Sequence, residues 1–366
     1  MYRYANQRYI RKDKTASCSF LQSICSQLGQ IQGFQSKGLI EYMSYYSCHL
    51  SYAKVSELLA RNLGQCVYTG SQIQHKILAL RPVIEASEAM GVARQSAQVA
   101  QVSKQLSFNF IAGDIDLYAP NQAEILYFDD AVGVTKQKAH RNDITYCKSE
   151  KYVQTDNVVI QRKTGDFEYL SANKKVENSV AIADKINQYL SAEFGTEIIP
   201  LVPITDGAKT IRNRIHESFG ETAPIILDYY HLRKKVTAQF SRLGQSKDNK
   251  ERHIKAMLKQ LWHGQVRDAL IYSEHEMLVP LVRQPILEDL QSYLLKHEAE
   301  IIDYDTRFHL TKKCIGSGRG EKANDQIITD RQKHNGTSWS EDGSAAIAQL
   351  KCLQLNKRWD AFWAAA

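Results

Sequence analysis

Ile125-Leu-Tyr-Phe-Asp-Asp-Ala-Val-Gly-Val134 is an apolar, β-branched and aromatic run broken by two adjacent aspartates. Its composition predicts a buried strand, and strand alternation lets only one of Asp129 and Asp130 face any given side of a sheet. Further strand-like runs at 143–148, 153–163 and 167–171 follow the first, at 124–134, so three or more of these strands are expected to be joined as hairpins. A helix is expected at about 178–193, with Val180, Ile182, Ile186 and Leu190 on its inner side and Asn178 as its cap. The next strand, Glu197-Ile-Ile-Pro-Leu-Val-Pro-Ile-Thr205, runs into Asp206-Gly207. A helix over 208–219 and the short strand Pro224-Ile-Ile-Leu227 complete the series.

Antiparallel strands followed by helix, strand, helix, strand form the order of a ribonuclease-H-like fold, a mixed sheet with helices on both faces (α+β or α/β). Four segments are expected. Residues 1–108 read as an all-helical N-terminal domain, 109–231 as the first part of the core, 232–310 as an all-helical basic insertion, and 311–366 as C-terminal core helices. In the first segment Phe20, Leu21, Ile24, Leu28 and Ile31 recur at helical spacing, as do Val55, Leu58, Leu59 and Leu63, with Ser51 as an N-cap and Gly64 as a stop. A helix starting near Thr69 would expose Ser71, Gln72, Gln74, His75 and Lys76. Pattern alone leaves a helix-turn-helix DNA reader and a plain helical hairpin both open.

With 366 residues, 43% hydrophobic, 24% charged and a net charge of +7, the chain has the composition of a globular protein with room for two or three domains. No apolar run is long enough to span a bilayer, and the start of the chain, rich in Arg and Lys, has no signal-peptide core. A cytoplasmic, nucleoid-associated location is expected, with no membrane partner. Seven cysteines (18, 25, 48, 66, 147, 314, 352) include no C-x-x-C pair, and Cys18, Cys25, Cys48 and His49 are too loosely spaced for a known zinc module. Reduced thiols are the expectation. In the insertion, Ile254, Met257, Leu258, Leu261 and Trp262 form one apolar stripe, and Leu287, Leu290, Tyr293 and Leu294 another. Ten Lys/Arg lie between 233 and 267, against Asp248 and Glu251, with Asp268 just beyond. A run so biased in sign predicts phosphate contact, with Arg233, Lys234, Lys235, Arg242, Lys255 and Lys259 as the contacting residues.

Three acids stand in a suggestive order. Asp130 and Asp206 each come near the end of an expected strand, and Glu321 follows the glycine-rich Ile315-Gly-Ser-Gly-Arg-Gly-Glu321 and begins a helix. Singly, such acids are ordinary turn or capping residues. Together in a basic chain they point to two Mg2+ (or Mn2+) ions acting on a phosphodiester, because paired ions activate the attacking oxygen and relieve charge on the leaving one. A P-loop reading of Gly316–Gly320 lacks the strand–loop–helix unit and lysine it would need.

The motifs together resemble bacterial insertion-sequence transposases of the Mutator-like DDE superfamily, in particular the ISKra-type group. Asp130-Ala-Val-Gly-Val134 is similar to the first motif, with alanine where glycine is usual, and Thr205-Asp-Gly-Ala-Lys-Thr-Ile211 is similar to the second. Leu227-Asp-Tyr-Tyr-His231 is similar to the Asp-x-x-His signature. Ile315–Glu321, Arg331-Gln-Lys333 and Gly336-Thr-Ser-Trp-Ser340 are similar to the third motif and its sequel, and the likeness covers about residues 120 to 363. It implies that Asp130, Asp206 and Glu321 bind two divalent cations, with Asp129 as the alternative first ligand and Asp228 and His231 supporting. It implies DNA cleavage at element ends and strand transfer by the freed 3′-hydroxyl. The implied partners are double-stranded DNA, both terminal inverted repeats and target, and further copies of the chain in a dimer or larger assembly. Arg319, Arg331 and Lys333 are expected to join the DNA contact. Arg319 departs from the small or aliphatic residues usual there, and the chain starts late for the group. Trp339 reads as a core residue or a base-stacking one, and Trp359, Phe362 and Trp363 as a hydrophobic anchor.

Overall fold

A computed structural model describes residues 36–64, 66–100, 115–138, 151–173, 175–176, 180–195, 200–221, 223–276, 279–334 and 336–365. The Phe20–Ile31 stripe, the 143–148 run, Asn178, Cys18, Cys25 and Cys147 lie outside these residues. The chain divides into two compact units, Met1–Lys76 with Trp363–Ala366, and Ile77–Phe362. No helix among the described residues is long and apolar enough to cross a membrane.

In the first unit, α1 (Lys37–Ser47) and α2 (Tyr52–Leu63) are capped by serines, and the Ser51 hydroxyl accepts the Lys54 amide at 3.3 Å. Gly64 ends α2 in the left-handed conformation at φ 74°, which glycine adopts without a Cβ penalty. Val55 and Leu59 are buried as their spacing predicts, whereas Leu63, in the last turn, is exposed. In α3 (Gly70–Ala100) Ser71, Gln72 and His75 are exposed, while Gln74 and Lys76 are half-buried, with the Lys76 ammonium over the Tyr68 ring. The divide between units falls inside α3, earlier than residue 108. From Ile77 on, the helix belongs to the second unit: Ile77 and Ile84 are buried, and Glu85 accepts from the Gln349 amide at 2.6 Å.

The second unit is built on a mixed sheet of β1 (Ile125–Thr135), β2 (Tyr152–Gln161), β3 (Phe167–Ala172), β4 (Leu201–Thr205) and β5 (Ile226–Leu227), in the order β3-β2-β1-β4-β5. β1–β2 and β2–β3 are antiparallel, whereas β1–β4 and β4–β5 are parallel. Alternation along β1 assigns its side chains to two layers. Tyr127 packs with α4 (Ile182–Phe194) and α5 (Lys209–Phe219), where Ile186, Leu190, Ile211 and Ile215 are buried. Burial of each such side chain contributes about 1.5–3 kcal/mol. The first helix of this pair begins at Ile182 behind Ala181, which makes no side-chain cap, so Val180 precedes the helix.

Phe128 faces the other layer, formed by α10 (Gly318–Asn324), its continuation through a π turn to Gln332, and α11 (Glu341–Leu355). In the sequence order of helices, α6 (Tyr229–Arg242), α7 (Lys247–Trp262), α8 (Val266–His275) and α9 (Gln284–Lys296) form the helical block between β5 and α10. This block belongs to the same compact unit as the sheet. Its end is tied to β5, where Glu300 O accepts the Leu227 amide at 2.9 Å and the Tyr304 hydroxyl donates to Leu227 O at 2.7 Å. Trp359 and Phe362 of α12 (Trp359–Ala365) are buried, as is Trp363 of the first unit.

Candidate active site

The parallel registers align three acids. Phe128 pairs with Ile204 and Thr205 with Leu227. One or two residues further along, Asp130, Asp206 and Asp228 therefore come level on neighbouring strands, where the sheet fixes their direction. Asp206 and Asp228 directly follow β4 and β5, whereas Asp130 stands midway along β1, which stays paired with β2 as far as Thr135 and so does not end near Asp130 as expected. Asp206 uses Oδ1 to accept the Ala208 amide at 2.8 Å, closing the turn. Gly207 has φ +83°, and a Cβ there would lie 2.6 Å from the His297 ring, so only glycine fits. His297 is buried at 1% exposure, and its Nδ1 meets Arg212 at 2.7 Å and Glu300 at 2.6 Å. The helical block thus supports the Asp206 turn from below.

Asp129 and Asp130 separate cleanly. Asp129 turns toward α5, where Arg214 lies 3.2 Å away and the Tyr127 hydroxyl donates at 2.8 Å. The same guanidinium stands 3.3 Å from Asp156. Burial pushes Asp129 up to about 7 against the pull of Arg214 and Tyr127. Asp130 turns toward α10: Asn324 donates to its Oδ2 at 2.6 Å, and the Ala131 amide to its Oδ1 at 2.7 Å. Asn324 in turn accepts from Asn157 at 2.6 Å. Burial raises the Asp130 carboxyl, and the negative charges of Asp206 and Glu321 raise it further, while the Ala131 amide and His231 oppose them.

Asp228 is spoken for. It caps α6 through the Tyr230 amide at 2.6 Å and the His231 amide at 3.3 Å, and it holds Ser317 by the backbone amide at 2.6 Å and by the hydroxyl. Burial works against its charge, but the bonds with His231 and Ser317 outweigh it and hold the carboxyl down at about 2. Asp228 is therefore a latch that fixes the start of α10, from which Glu321 projects. Gly320 lets that helix close on β1, since a Cβ there would lie 3.2 Å from Phe128 Cβ. His231 Nδ1 lies 3.4 Å from Asp228, and its Nε2 is 3.9 Å from Glu321 Oε1. The bond with Asp228 raises the imidazole, and Asp206 and Glu321 add to the effect.

Asp130, Asp206, Glu321 and His231 thus share one electrostatic neighbourhood. Among the described residues no group of three His, Cys, Asp or Glu side chains stands in a metal-holding arrangement as the side chains lie. The donor chemistry nevertheless suits a divalent cation: hard carboxylate oxygens from three elements, with Asp130 already raised by two like charges that a cation would offset. The Glu321 side chain is 59% exposed.

The basic residues divide. Arg233, Lys234, Lys255 and Lys259 make no ion pair among the described residues and line open grooves. Lys235 pairs with Asp289 at 3.2 Å, and Arg242 donates to Gln239 at 2.6 Å. Arg319 lays its guanidinium 3.9 Å over the Phe167 ring, which gives this unusual residue a packing role beside the glutamate. Arg331 is buried over the Trp339 ring, so its expected DNA contact is not available on the surface, whereas Lys333 is exposed. Trp339 is a core residue whose indole donates to Gln332 O at 3.1 Å. Among the described residues the cysteines 48, 66, 314 and 352 are free thiols.

Sequence reasoning missed Asn324, Asn157, Arg214 and His297. Only Asn324 left a signal, standing three residues after Glu321 and so on the same helical face. The chain matches no protein-family model, and no curated protein is significantly similar to it.

Proposed function

We propose that the chain is a DDE transposase of an insertion sequence, built on a ribonuclease-H-like core with an all-helical insertion. The observation that carries the reading is the β3-β2-β1-β4-β5 order, with Asp130 midway along β1, Asp206 at the end of the adjacent parallel β4, and Glu321 delivered from the helix that packs on β1. The motif resemblance supports the same residues in the same order. Asp130, Asp206 and Glu321 would hold two Mg2+ ions, which when bound supply an activated oxygen nucleophile and charge relief at the leaving oxygen.

The chain's own residues prepare that site. Asn324 orients Asp130, and the Gly207 turn over His297 aims Asp206. Asp228 sets the helix that carries Glu321, and His231 faces Glu321 at 3.9 Å. The partners on this reading are double-stranded DNA, as terminal inverted repeats and target, and further copies of the chain.

The test is Mg2+-dependent cleavage and strand transfer on a plasmid carrying the DNA that flanks the gene. Glu321→Gln should abolish both while leaving DNA binding intact, and full activity in Glu321→Gln would overturn the assignment. One observation favours a second reading, a catalytically inactive DNA-binding relative: the three carboxylates do not close on a common point as they lie. That reading expects DNA binding with no Mg2+-dependent product from the unaltered chain.

A further inference from the structure

We propose that the groove between α6 and α7 is a subsite for unpaired nucleic acid, with bases against its apolar floor and phosphates on its cationic rim. The proposal rests on the nucleic-acid reading of the site, but its test does not require catalysis.

The groove encloses about 540 Å³ and is open to solvent. Its floor comes from the stripe that periodicity places on α7, which the fold splits in two. Met257 and Leu261 are fully buried inside the helical block, whereas Ile254, Leu258 and Trp262 are only half-buried and line the groove. Trp262 is held in place: its indole donates to Asp305 at 2.8 Å, and the Tyr229 ring meets it edge-on at 4.6 Å. An aromatic wall fixed in advance loses little freedom when a ligand ring settles on it.

The rim is positive. Arg233, Lys255 and Lys259 stand on it against a single acid, Glu251. None of the three is neutralised by an ion pair among the described residues, in contrast to Arg267, which is bound to Glu298 at 2.5 Å. A second groove of about 410 Å³ on the adjoining face of α6 shares Arg233 and Thr237 and adds Lys234 and Tyr230. Tyr230 is 64% exposed, and it lies against Gly316 in the loop that leads to Glu321. Asp228 caps α6, so the Tyr229 and Tyr230 ends of the two grooves lie at the end of α6 nearest the acid cluster.

A duplex keeps its base faces stacked inside, so it would meet the cations and leave the apolar floor uncovered. An unpaired strand offers both base faces and phosphates, and aromatic walls with cationic rims bind such strands with little regard to sequence. The occupant that matches both features is a single-stranded segment.

The full chain would be titrated by fluorescence anisotropy with a labelled 12-nucleotide thymidine oligomer, an abasic oligomer of equal length and a duplex. The thymidine oligomer should bind about fivefold or more tightly than the abasic one, and more tightly than the duplex once the acid cluster is silenced by Asp130→Asn. Leu258→Ser should bring the thymidine oligomer down to the abasic level. Lys255→Gln with Lys259→Gln should weaken both oligomers and cut the salt slope by about 1.4. Trp262→Phe keeps a ring without the bond to Asp305 and should retain most of the preference, which guards against misfolding in harsher variants. Equal affinity for thymidine and abasic oligomers, a stronger duplex, or an acidic leucine-rich peptide displaced only by the groove variants would overturn the subsite. Oligomer binding through the groove in a chain that never cleaves DNA would end the transposase reading and leave the subsite standing. Cleavage without base preference would do the reverse.

Discussion

On one side of β1, Asp129 meets a guanidinium and a phenol, and the Arg214 that holds it also holds Asp156. On the other side, Asp130 meets an amide and two further carboxylates, with His231 opposing their effect. The first region is closed, its acid buried among partners from within the protein. The second is open, with like charges facing each other. A buried carboxylate held by a guanidinium and a phenol belongs to the scaffold, whereas carboxylates gathered beside one another carry like charge that a cation would offset, and that contrast separates structure from chemistry in this chain.

The sharpest way to break the contrast is to remove each acid in turn. Asp130→Asn should abolish Mg2+-dependent cleavage without shifting the thermal unfolding midpoint, while Asp129→Asn should still cleave. The opposite result in a gel assay would exchange the two roles. Arg214→Met tests the closed side: it strands Asp129 and Asp156, so urea unfolding should show a loss of about 3–5 kcal/mol. Asn324→Ala tests the open side, where losing the amide that orients Asp130 should slow cleavage by about 10- to 100-fold with stability little changed.

The pH profile of stability tests both sides, and the smallest effect is its acid limb. Asp228 is depressed in the fold from 3.8 to about 2, so its contribution is present above its unfolded value and is lost as the pH falls through that range. This amounts to no more than about 2 kcal/mol, and Asp228→Asn should remove that acid limb in denaturant titrations. Asp129 is raised from 3.8 to about 7, so between those values the folded chain binds the extra proton and stability declines as the pH rises. Asp129→Asn should flatten that slope, and an unchanged slope would remove Asp129 from the account.

Local features could be read directly. Ser51 and Gly64 bound α2 through their own hydrogen bond and backbone angle, and the runs around Phe128, Val158 and Leu170 form strands because their side chains fit a buried pleat. Asp206 could be picked out because it follows a strand and Glu321 because it follows a glycine-rich turn, whereas Asp130 stands midway along β1 rather than near its end, because pairing with β2 carries that strand on to Thr135. Arg331 could not be placed, since nothing near it in sequence reveals that it folds over Trp339. The stripe on α7 could be recognised as apolar, but its division between core and groove depends on what packs against each side. Asn324 and Asp130 stand 194 positions apart, and Arg212 and His297 stand 85 apart, so their pairing has no local trace.

The sequence by itself determined the order of strands and helices and several of their caps, because these follow from steric and hydrogen-bonding rules acting over a few residues. Tertiary structure decided which aspartate of the Asp129–Asp130 pair faces the acid cluster, that Asp228 is a latch, and that the helical block supports the Asp206 turn. Those outcomes depend on burial and on charges brought together from distant parts of the chain, and an electrostatic environment exists only once the fold has assembled it.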